Sequence, residues 1–99
     1  MSYYATVDDA DQGDIATSSG WHDFAKFVAT LEGVDELRNL TDYGWADDGN
    51  RLASDLQGAI DTGIMSDDQT DIAKELLAIA KNMELDAVLT ISDGVGVVE

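Results

Sequence analysis

The stretch Ser66–Met83, SDDQTDIAKELLAIAKNM, sets the fold class by its spacing. Ile72, Leu76, Ile79, Ala80 and Met83 recur at steps of three and four, with Leu77 beside them, and so form one apolar stripe along an α-helix. Ser66 stands where an N-cap is needed and Gln69 three residues on, the pattern of a capping box. Asp67, Asp68 and Asp71 lie near the positive end of the helix dipole and Lys81 near the negative end. Pattern, cap and charge agree, and a helix with one apolar face must be covered by other elements.

Upstream, the same periodicity marks three more helices. Leu52, Leu56, Ala59 and Ile60 are the stripe of a helix over roughly 48–62, capped by Asp47 or Asp48 and ended by Gly63. Gly58 inside it costs about 1 kcal/mol against Ala unless a close contact requires it. Val34, Leu37 and Leu40 mark a short helix over 34–43, closed by Gly44. Trp21, Phe24, Val28 and Leu31 mark the first, capped by Ser18 or Ser19 and ended by Gly33.

Both ends of the chain read as strand. In SYYATV, residues 2–7, Tyr3, Ala5 and Val7 share one face. Val88–Ile91 and Val95–Val98 flank Asp93-Gly94, a strong hairpin signal. An isolated hairpin is marginal, so the N-terminal strand is expected to join it. The polar segment 8–19 reads as a mobile acidic loop. The expectation is a single α+β domain over 1–99, with about four short helices on a small antiparallel sheet. VGVVE, at 95–99, carries one charge and neither Pro nor Lys to guard an edge, which leaves a homodimer open.

Composition excludes several classes. There is no Cys and no Pro, so disulfides, thiolate metal sites and PPII ligand motifs are absent. No apolar run approaches the ~18 residues of a membrane span. MSYYATVDDADQGD has no basic residue and no long apolar run, unlike a signal peptide, and the chain reads as cytoplasmic. The lone His22 has Ser18 on its helix face, but the adjacent Asp23 points away, so no triad forms. In the DDADQGD segment, counting from Asp9 puts Asp14 sixth and Gly20 twelfth, where a calcium loop needs Gly and Glu. No metal, no cofactor and no enzymatic chemistry are expected. Five scattered bases offer no stripe for phosphates, so nucleic acid is not a direct partner.

The charge is the outlying feature. Twenty-one acids, 16 of them Asp, face five bases, for a net charge of −16. Asp is a poorer helix former than Glu, so helix propensity does not explain the choice. Helix starts account for Asp35, Asp47, Asp48, Asp67 and Asp68, about a third of the aspartates. Spread evenly over roughly 5,500 Å², the net charges would sit about 18 Å apart, beyond the ~8 Å Debye length. Clusters therefore matter more than the total. Asp68, Asp71 and Glu75 lie on one flank of the 66–83 helix, with Asp67 beside them; Asp47 and Asp48 precede the 48–62 helix. These are the candidate partner-binding residues. Asp8, Asp9, Asp11 and Asp14 are weaker candidates, because ordering a mobile segment costs entropy on binding. Trp45 is an apolar anchor beside Asp47, or a core residue by its size.

In length, charge and lack of catalytic groups the chain resembles the small phage-borne DNA mimics that block restriction or CRISPR enzymes. The resemblance is one of composition. It implies a non-enzymatic inhibitor whose carboxylates occupy the phosphate sites of a basic nucleic-acid-binding protein. Two other readings fit the charge: adaptation to molar salt, and an acidic assembly module with a basic partner.

Overall fold

The computed structural model describes residues 2–93. In chain order the elements are β1 (Ser2–Val7), β2 (Ala10–Thr17), α1 (Ser18–Val28), α2 (Asp35–Tyr43), β3 (Trp45–Ala46), α3 (Gly49–Asp61), α4 (Asp67–Asn82) and β4 (Leu89–Asp93). The four strands form one antiparallel sheet in the order β2-β1-β4-β3. The protein is an α+β fold, as the sequence pattern implies. The second half of the expected C-terminal hairpin, and the edge on which the homodimer rested, lie outside the described residues.

Alternation along the strands divides the sheet into an inner and an outer face. Ala5 stands opposite Ile91, Val7 opposite Leu89 and Ala46 opposite Leu89 on the other side. Ala5, Ala46, Leu89 and Ile91 are buried against the helices. The helical stripes complete the core: Trp21, Phe24 and Val28 from α1, Leu37 and Leu40 from α2, Leu52 and Leu56 from α3, Ile72 and Leu76 from α4. Tyr3, Trp21 and Phe24 stack in series, with ring centroids 5.8 and 5.6 Å apart. No polar or charged residue is buried among the described residues.

Two expectations need correction. Segment 8–19 is not a loop. Asp8 and Asp9 take positive φ, 51° and 70°, and make a two-residue turn of the I′ kind, after which Ala10–Thr17 pairs with β1. The register slips twice along β2, leaving Ile15 and Gln12 as bulge residues, and Gly13 has φ 91° at the second slip. These bulges break the simple alternation that would have marked the strand. The second correction concerns α1. Thr17, not Ser18 or Ser19, caps it, its hydroxyl accepting from Gly20 N–H at 3.1 Å. The helix ends at Val28, where Thr30 and Leu31 N–H bond three residues back to Phe27 and Val28 and tighten the last turn.

The α3–α4 hairpin brings backbones close. A Cβ on Gly49 would lie 2.9 Å from Ala80 O, so glycine is required there. Gly58 meets nothing within 4 Å and is simply tolerated. Asp48 is the α3 cap, accepting from Arg51 N–H at 3.0 Å, and the Ser66–Gln69 capping box of α4 is complete.

Candidate functional site

The acidic residues separate by what their carboxylates already do. Asp48 is half-buried and occupied as a cap. Its own N–H, and that of Asp47, donate to Glu36 Oε2 at 3.2 and 3.3 Å. Asp55, on α3, accepts from Glu36 N–H and Leu37 N–H at 3.1 and 3.2 Å. It thus caps α2, whose own N-cap position is Val34 and supplies no side-chain acceptor. The two helices cap each other across their contact. Burial raises the Asp55 pKa, against the lowering effect of its two N–H donors and Arg51; Asp35 adds to the rise. Glu36 and Asp55 were missed as structural acids. The signal available was an apolar residue where α2 needs a cap.

In the β1–β2 hairpin, Asp8 Oδ1 accepts from Val88 N–H and Asp8 N–H donates to Val88 O, both at 3.0 Å. Asp11 Oδ1 accepts from Gly13 N–H at 2.8 Å, steadying the bulge. Asp9 and Asp14 are exposed.

On α4, Asp67, Asp68, Asp71 and Glu75 are all exposed. Asp68 and Asp71 line a shallow groove of about 260 Å³ floored by Ile15, Ala16, Gly20 and Ile72. It continues past Thr17 and Ser19 to Asp23 on α1. The Asp47–Asp48 pair is not part of this groove. It lies near the C-terminal end of α4, where Gly49 approaches Ala80 and Met83. By helix rise that is ~18 Å along α4 from Asp68.

Trp45 is not in the core; it is 43% exposed. Its backbone carbonyl accepts from Asn39 Nδ2 at 2.7 Å, and it stands opposite Thr90 on the outer face of the sheet. His22 Nε2 lies 3.3 Å from the Tyr3 hydroxyl on the exposed side of α1. Among the described residues, no group of three or more His, Asp or Glu is placed to hold a metal ion, and no helix is long and apolar enough to cross a membrane.

No family model, no curated protein and no solved structure matches the chain.

Proposed function

We propose that the protein is a non-enzymatic inhibitor that binds a basic nucleic-acid-binding protein in place of its nucleic acid. The observation that supports this reading most is a net charge of −16, with no charged residue buried among the described residues. Asp68, Asp71 and Glu75 follow one flank of α4 over ~10.5 Å by helix rise. That is the axial span of four successive phosphates of one DNA strand, at about 3.4 Å per step.

The partner's Arg and Lys, which otherwise hold phosphates, pair with surface carboxylates, the α4 row among them, in charge-assisted hydrogen bonds. The negative field steers the encounter, so association slows as salt screens it. Bases on the partner that bind phosphate by charge accept carboxylates presented over a similar length.

The test is capture on immobilised protein from a lysate of the source host or its viral target, followed by elution with duplex DNA or RNA. The expected result is a basic protein that nucleic acid displaces. A partner that nucleic acid cannot displace removes mimicry and leaves a binding protein. Capture of nothing basic returns the acidity to salt adaptation or to an assembly role.

A further inference from the structure

The five bases of the chain are Lys26, Arg38, Arg51, Lys74 and Lys81. Each lies on a helix, in α1, α2, α3 and twice in α4. The described strands and the loops between elements carry none, so the charged side chains of the strands are all acidic.

The outer face of that sheet has no helical cover among the described residues. Tyr4 stands opposite Asp14 and Ser92, Thr6 opposite Asp11 and Thr90, and Thr90 opposite Trp45. Directly opposed residues share a face. The face therefore runs from Asp11 and Asp14 on β2, across hydroxyls and Tyr4, to Trp45 on β3. At a strand spacing of about 4.8 Å it is ~14 Å from first to last strand. Tyr4, Thr6, Thr90 and Ser92 are all partly exposed.

We propose that this sheet face is the docking surface for an arginine-bearing segment of the basic partner. Charge complementarity selects the occupant. The carboxylate pair at one side takes one guanidinium group of the segment, and the exposed indole of Trp45 at the other side stacks on another. A second copy of the chain would set like charges against each other and has no base to offer here. For guanidinium groups the α4 flank is the weaker of the two acidic surfaces, because Lys74 sits three residues from Asp71 on the same helix. The α4 groove also opens at the N-termini of α1 and α4, whose dipoles offset part of its negative charge. The entropy penalty assigned to residues 8–14 as a loop does not apply to a strand paired along its length.

The inference rests on the reading of a basic partner and adds the face and the arginine preference. The probes are nona-arginine and nona-lysine peptides, titrated against the full chain at ~100 mM salt, within the range where surface charges still act. Two charge-matched variants are compared, Asp11→Asn with Asp14→Asn, and Asp68→Asn with Asp71→Asn. Asn keeps the Asp11 Oδ1 acceptor that steadies the bulge. The sheet-face variant should lose at least ~5-fold more affinity for nona-arginine than the α4 variant. The wild type should prefer nona-arginine to nona-lysine by about 3-fold, the size expected of an exposed cation–π contact, and Trp45→Ala should abolish the preference. Equal losses from the two pairs, or a larger loss from the α4 pair, overturn the face assignment while leaving the basic-partner reading intact. An arginine preference that survives Trp45→Ala overturns the stacking. A dimer in sedimentation that the sheet-face variant dissolves gives the face to a second copy and overturns the inference. No binding of either peptide by the wild type removes the basic partner itself.

Discussion

Asp55 is the residue whose role differs most from its appearance in the sequence. Its spacing from Asp48 places it on an acidic flank, yet it ties α3 to the start of α2 through two backbone N–H groups. A cap supplied by another helix depends on how the helices cross, which local sequence does not encode. Asp55→Ala should cost about 1–2 kcal/mol, as the loss of a helix cap does, measured by urea unfolding. Asp55→Asn keeps an acceptor and removes the half-buried charge. Because the folded-state pKa is raised above the ordinary 3.8, the wild-type carboxyl favours folding while protonated and loses that contribution as pH rises through the raised value. The stability of Asp55→Asn relative to wild type should therefore increase from pH 3 towards neutrality. A difference that shrinks with rising pH would contradict the burial argument. The Asp8-Asp9 turn was missed for a related reason: Asn-Gly is the usual signal of this turn, and two aspartates at positive φ are a weaker one. Asp9→Gly should stabilise the hairpin by up to about 1 kcal/mol, since glycine adopts this conformation without strain.

At the scale of elements, the helices were legible and half of the sheet was not. The stripes of α2, α3 and α4 fall where the three- and four-residue spacing puts them, with α2 and α3 ending at or near their glycines. β2 was hidden by its bulges, and β3 is two residues long, too short for any periodicity to show. The α3–α4 contact makes a paired prediction. Gly58→Ala should stabilise the protein by about 1 kcal/mol, because helix propensity improves and nothing obstructs the methyl. For a domain of this size that raises Tm by roughly 4–8 °C. Gly49→Ala should destabilise by about 1–3 kcal/mol, as overpacking does, because Ala80 O and Met83 stand in the way. Reversed signs would mean the two helices pack in another register.

For the whole molecule, the total charge was plain from composition, but its arrangement was not. The bases can be assigned to helices from the sequence; that the strands share one face without helical cover among the described residues follows only from the pairing β2-β1-β4-β3. The same charge that is proposed to serve binding opposes compaction. Twenty-one acids on about 5732 Å² of surface repel one another, and added salt screens that repulsion. Tm should rise by several degrees between low salt and 0.5 M NaCl, followed by circular dichroism. A requirement for molar salt would favour salt adaptation as the origin of the acidity.

Under the proposed mimicry, protein and nucleic acid compete for one site on a basic partner. The direct measurement is the binding of labelled duplex DNA to the captured partner as the acidic protein is titrated in. Mimicry predicts complete displacement, with the midpoint rising in proportion to the DNA concentration. A stable ternary complex of partner, DNA and acidic protein would contradict it.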